Sequence, residues 1–352
     1  MKKVIPVNII SGSLGVGKTT MINHLLKQRP PHEYWSILVN EYGLVGIDAA
    51  LMSSDFKQSE KNKVKIKEVA GGCICCSAGF IFEVSLIQLL QRRPDRLLIE
   101  PTGLAALSGI LDTLQREGIR EAVDLRSIIC LLDVNTLPEA LECEEVMDQI
   151  EAADILLASR PDLATEKGLE LFHTMANSLY PPKVFIGSSS YGQMSLEQLD
   201  LISSRESAVQ SREQLHGTDH YADLSKDKGH SPLELIESGK LIPSVAQPIL
   251  RQLHHSNMTS TIGWVCWADL VFDARQISDW LKKLLDLPNT LRIKAVLRTS
   301  EGWWLFNFTK ETETQWPSSY RRDSRLEVII KGGILLDPLK LEDELRSCLC
   351  NH

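Results

Sequence analysis

Eight consecutive residues, Gly12-Ser13-Leu14-Gly15-Val16-Gly17-Lys18-Thr19, carry the pattern G-x-x-x-x-G-K-[ST]. Glycines at this spacing let successive backbone N–H groups turn toward the β- and γ-phosphates of a nucleotide, and Lys18 adds a point charge. The Thr19 hydroxyl suits magnesium, a hard cation that takes oxygen ligands, and Thr20 extends the same cradle into the next helix. Magnesium in such a site needs a second carboxylate at the end of a neighbouring strand. Glu100-Pro101-Thr102-Gly103 offers it: Glu100 closes the apolar run RLLIE, and Gly103 stands where its N–H could reach a γ-phosphate. For the base, Ser159-Arg160-Pro161-Asp162 occupies the place of an N-K-x-D motif. Asp162 can accept from the N1 and N2 donors of guanine, and the stem of Arg160 can lie on the ring, but Ser159 cannot reproduce an asparagine amide.

A second constellation lies between Lys18 and Glu100. Cys73, Cys75 and Cys76 fall within four residues of the loop GGCICC. Thiolates are soft ligands for zinc, copper(I) or related ions, and an incomplete protein ligand set suits an exchangeable site. Oxidation of the vicinal Cys75 and Cys76 is the competing chemistry. Asn40-Glu41-Tyr42-Gly43 and Asp48 share this interval. Glu41 is a candidate zinc ligand, magnesium outer-sphere group or organiser of attacking water. Lys18, Glu41, Asp48 and Glu100 are the catalytic candidates.

These residues need a scaffold that brings several strand ends together. From residue 4 to about 200, short apolar runs alternate with amphipathic stretches, the pattern of a mainly parallel sheet covered on both faces. VIPVNII, WSILVN, VKIKEVA, DRLLIE, RSIICLLD, DILLAS and KVFIG are the expected strands, with helices over Thr19–Arg29, Phe80–Arg93, Glu144–Ala153 and Glu166–Tyr180. Residues 203–231 are polar and aperiodic. The division expected is a P-loop domain at 1–205, a linker region at 206–257 and a smaller α+β domain at 258–352, with a pair of adjacent tryptophans, Trp303 and Trp304, on one of its strands.

Composition narrows the function class. With 38 basic and 46 acidic residues the formal charge is −8, which lacks the basic footprint of a nucleic-acid or membrane-surface binder. No run approaches the length of a membrane span, and MKKVIPVNII continues into the phosphate loop rather than a cleavage site. A cytoplasmic protein is expected. The eight cysteines are too unevenly spread for a disulfide framework.

In order, GSLGVGKTT, VNEYGLVGID, GGCICC and LLIEPTGLA resemble the CobW family of metallochaperone P-loop GTPases. The resemblance implies a magnesium-dependent GTPase that binds zinc or a similar ion at Cys73, Cys75 and Cys76 and delivers it to a client metalloprotein. It also implies that the last 95 or so residues are the family's C-terminal domain. Leu44 stands where the family's motif carries a second glutamate, and His216, His220, His230, His254 and His255 are too sparse for a histidine-rich tract. Three rivals differ in what they require. A P-loop kinase gives the cysteines no role, a metal sensor or store needs little turnover, and a redox switch is indifferent to zinc.

Overall fold

The computed structural model describes residues 4–41, 64–70, 78–103, 106–201, 243, 245–255, 259–332 and 336–350. The chain divides into two compact units, Met1–Ser203 and Ser204–His352.

In the first unit seven strands form one sheet in the order β3-β2-β4-β1-β5-β6-β7. They are β1 (Ile5–Gly12), β2 (Trp35–Glu41), β3 (Val64–Ala70), β4 (Arg96–Glu100), β5 (Val123–Asp133), β6 (Ile155–Ser159) and β7 (Phe185–Ser189). Every pairing is parallel. Parallel neighbours need crossovers, supplied here by α1 (Lys18–Gln28), α2 (Ala78–Leu90), α3 (Leu107–Leu114), α4 (Leu137–Ala140), α5 (Glu144–Ala152) and α6 (Glu166–Ser178). The central strands read as near-continuous apolar runs because both faces are covered, whereas the edge strands β3 and β7 carry polar residues. One face buries Val7, Ile9, Leu97 and Ile99 under α2, α3, α5 and α6, through Phe82, Leu111, Ile150 and Phe172. The other buries Ile37, Leu98, Ile129 and Leu157 under α1, through Met21, Ile22 and Leu25. The order reverses at β1, whose neighbours β4 and β5 lead to opposite edges, and ligands of open α/β sheets bind at the strand ends beside such a switch point. Gly12 ends β1 and Glu100 ends β4 at that place.

The second unit is a six-stranded sheet in the order β12-β11-β10-β13-β9-β8. Its strands are β8 (Ile249–His255), β9 (Thr259–Cys266), β10 (Thr290–Thr299), β11 (Gly302–Thr309), β12 (Glu313–Pro317) and β13 (Ser324–Lys331), paired antiparallel throughout. Helices α7 (Ala274–Asp286) and α8 (Pro338–Ser347) cover one face, where Trp264, Phe272, Ile277, Leu281, Phe308 and Val328 form a core of their own.

Besides the one-turn helix α4, the elements β8, β12 and α3 stand outside the sequence expectation. Strand β8 falls in the stretch read as linker; only Ile249 and Leu250 of it are buried apolar residues, so its ladder with β9 rather than a hydrophobic face defines it. Strand β12 has no apolar alternation to mark it in the sequence, since all five of its residues are exposed. Helix α3, with Gly109 inside it, takes its N-terminal cap from Asp148, whose carboxylate accepts from the Leu107 N–H across 41 residues of sequence. Trp304 packs on the core of the second unit, and its neighbour Trp303 lies under Arg321 on the other face, 5.7 Å from the guanidinium carbon.

Candidate nucleotide site

Gly12, Gly15 and Gly17 hold φ of 135°, 74° and 107°, which other residues adopt only with strain. At Gly12 a Cβ would also stand 2.4 Å from the Leu131 carbonyl oxygen, so this position excludes side chains twice over. Gly17 begins α1 without a side-chain cap, so no side chain competes for the N–H groups of the first turn, where an anion is favoured. Val16 is buried and anchors the loop, while Leu14 and Thr20 face solvent. Lys18 is buried, and its Nζ donates to the carbonyls of Gly12 at 2.9 Å and Ser13 at 3.0 Å, which folds the cation back over its own loop.

The Thr19 hydroxyl donates to Glu100 Oε1 at 2.9 Å, and Glu100 is only 4% exposed. Two hard oxygen donors from different elements thus meet beside the loop, a donor set that fits magnesium and not a thiophilic ion. Gly103 packs directly on the phosphate loop: a Cβ there would be 2.5 Å from the Leu14 nitrogen. Sequence reasoning missed the residue that joins the two motifs. Gln149 of α5, fully buried, accepts from the Gly12 N–H at 2.8 Å and donates to the Gly103 carbonyl at 3.1 Å. Only its place in the helical pattern is visible in the sequence, because both partners are backbone groups distant along the chain.

Where β5, β6 and β7 end, Arg160 adopts a left-handed conformation with φ of 48° and pairs with Asp133. Asp162 is exposed in the single 3-10 turn Pro161–Leu163, and Ser159 is buried at the end of β6. The loop after β7 joins them, since Arg160 N–H donates to the Ser189 carbonyl at 3.3 Å. That loop carries Tyr191, 79% exposed with φ of 52°, and Gly192, where a Cβ would meet the Met21 nitrogen at 2.7 Å. The turn holding Asp162, the tyrosine loop and the first turn of α1 are therefore neighbours at this end of the sheet.

Of the other candidates, Glu41 ends β2 opposite Ala70 of β3. Cys73, Cys75, Cys76 and Asp48 lie outside the described residues, as do Leu44 and the histidines at 216, 220 and 230. Among the described residues no cluster of metal-ligating side chains occurs. Burial pushes the Cys130 thiol up to about 11 and raises Cys266 and Cys348 as well, which disfavours the thiolate at all three. No described helix is long and apolar enough to cross a membrane.

Residues 6–186 match the family described as CobW/HypB/UreG, nucleotide-binding domain, and residues 262–349 match the Cobalamin synthesis protein cobW C-terminal domain. The chain is 35% identical over 332 residues to zinc chaperone YeiR of Escherichia coli (strain K12), a match spanning 92% of each chain. Zinc chaperone CobW of Sinorhizobium sp. is 27% identical over 270 residues, 69% of this chain and 75% of the relative. Zinc-regulated GTPase metalloprotein activator 1 of Dictyostelium discoideum is 23% identical over 400 residues, 98% of this chain and 80% of the relative. By the family match over more than half of its length, and by a phosphate loop set at the switch point of a parallel sheet, the chain belongs to the CobW/HypB/UreG family of P-loop GTPases.

Proposed function

We propose that this protein hydrolyses GTP with magnesium and couples the turnover to delivery of zinc, or a similar transition-metal ion, to a client metalloprotein. The contact between Thr19 and Glu100 beside an uncapped helix start carries the hydrolase half of this reading. Kinship with proteins named zinc chaperones supports the metal half.

Backbone N–H groups of Gly12 to Thr20 hold the phosphates, and Lys18 exchanges its two loop carbonyls for phosphate oxygens. Thr19 and Glu100 hold magnesium, which when bound neutralises charge developing on the phosphates. Gly103 donates to the γ-phosphate, and Glu41 and Asp48 orient the attacking water. Asp162 reads guanine, Arg160 lies along its face, and Tyr191 covers the base from the β7 side. Cys73, Cys75 and Cys76 take the zinc cargo, with Glu41 as a further ligand that senses nucleotide state.

Magnitudes favour transfer over ejection. Driving a two-state element from 1:99 to 99:1 takes about 5.5 kcal/mol, whereas a structural zinc site is worth roughly 10 to 16 kcal/mol. Hydrolysis therefore loosens one ligand, and the ion passes by ligand exchange to a docked acceptor.

The test is zinc titration of the apo protein with GDP and with a non-hydrolysable GTP analogue, repeated on Cys75→Ala, alongside phosphate release from GTP by wild type and Lys18→Ala. The expected results are a nucleotide-dependent zinc affinity lost in Cys75→Ala and hydrolysis lost in Lys18→Ala. Zinc binding of equal strength in both nucleotide states, or GTP turnover that survives in Lys18→Ala, would sink the coupling.

A further inference from the structure

The amide of Gln149 can be read in one orientation only. Its partner on the phosphate loop is an N–H and its partner on Gly103 is a carbonyl, so Oε1 must face Gly12 and Nε2 must face Gly103. The side chain is wholly buried between them, where an unmade hydrogen bond carries its full desolvation cost. Its neighbour Asp148 accepts from the Leu107 N–H, at the start of the helix that follows the Gly103 turn. One turn of α5 thus grips the phosphate loop, the Glu100–Gly103 turn and the first residue of α3.

On the nucleotide-hydrolase reading above, we propose that Gln149 is a positioning residue: it fixes the tilt of the Gly103 peptide so that this turn meets the third phosphate, and it transmits the presence of that phosphate to α3 and α5. Gly103 lies close against the Leu14 backbone, where a Cβ would stand 2.5 Å from the nitrogen, so the Glu100–Gly103 turn and the phosphate loop are in direct contact. A turn of Gly103 moves its carbonyl against Nε2, while the bond from the Gly12 N–H to Oε1 keeps the other end of the amide fixed. The phosphate loop is the pivot and the Glu100–Gly103 turn the moving part.

Gln149→Glu separates the two ends of the amide. It keeps an acceptor for Gly12 N–H and puts a carboxylate oxygen against the Gly103 carbonyl. At about pH 7.5 turnover of GTP should fall by roughly 10- to 100-fold and affinity for a non-hydrolysable GTP analogue by about tenfold or more, while GDP affinity stays within about threefold. Lowering the pH toward about 6 should restore activity relative to wild type, because the protonated carboxyl donates again and burial raises its pKa. A general structural role gives no such recovery. Wild-type turnover in Gln149→Glu, or GDP and analogue affinities that fall together without recovery at low pH, overturns the proposal.

Wild-type protein that fails to hydrolyse GTP overturns the parent reading instead. Should Gln149→Glu not fold, the side-chain amide resonances of Gln149 in the wild type decide the matter. They should shift between the GDP and GTP-analogue states and exchange slowly in both; resonances indifferent to the third phosphate overturn the assignment.

Discussion

A methyl group on Gly103 would stand 2.5 Å from the Leu14 nitrogen and 2.9 Å from the Ser13 carbonyl carbon, closer than any real contact and against backbone that cannot rotate away. Gly103→Ala must therefore push the Glu100–Gly103 turn off the phosphate loop. The expected cost is about 1 to 3 kcal/mol of stability, with GTP turnover reduced more than GDP binding. Calorimetry and phosphate release check this, and turnover like wild type would mean the turn takes no part in the chemistry. Base reading is likewise a single-residue matter. If Asp162 accepts from guanine N1 and N2, Asp162→Asn replaces an acceptor by a donor and should shift preference from GTP toward XTP by about tenfold or more. Competition between the two nucleotides measures it, and an unchanged ratio removes Asp162 from the base site.

Among the elements, α5 bears the most weight, and a lysine closes its far end. Lys183 Nζ donates to the carbonyls of Ile150 at 2.6 Å, Glu151 at 2.9 Å and Ala153 at 2.8 Å, satisfying groups that a helix C-terminus leaves without partners. Burial lowers its pKa to about 8, against a favourable pull from Asp154. The unfolded chain then binds more protons than the folded one between about pH 8 and 10.5, so this lysine makes stability rise with pH across that window. Lys183→Met should cost about 2 kcal/mol near pH 7, and the deficit should widen from about pH 8 to 10 as the wild type sheds its buried charge. Denaturant midpoints of both proteins across that range test the sign. The central strands of the first unit were legible because burial on both faces writes them as apolar runs, while the edge strands β3 (VKIKEVA) and β7 (FIGSS) carry polar residues and only short apolar stretches. What escaped depends on partners outside the element itself: α3 and the two motifs are held by residues remote in sequence, Asp148 and Gln149, and β8 by a backbone ladder with the neighbouring β9. Phosphate chemistry was legible in Gly12 to Thr19 because it depends on local backbone conformation; Tyr191 and Gly192 were not, because their meaning lies in the contact of Gly192 with Met21.

At the level of the whole chain, two units each bury a core of their own, one around a parallel sheet and one around an antiparallel sheet. The nucleotide candidates with described positions, Gly12 to Thr20, Glu100, Gly103, Arg160 and Asp162, all lie in the first. A ligand that binds only the folded first unit stabilises it by RT ln(1 + [L]/Kd), about 2.7 kcal/mol at a hundredfold excess over Kd, and adds nothing to a second unit whose folding is independent. Scanning calorimetry should therefore resolve two transitions, with GDP and magnesium raising one by several degrees and leaving the other in place. Disrupting the second core by Phe272→Ala, at a residue 0% exposed, should lower only the transition that ignores nucleotide, by about 3 to 5 kcal/mol of unfolding free energy. A single transition that moves as a whole with GDP would mean that the two cores unfold together. Nucleotide binding would then stabilise the C-terminal unit directly, a coupling the separate cores do not require.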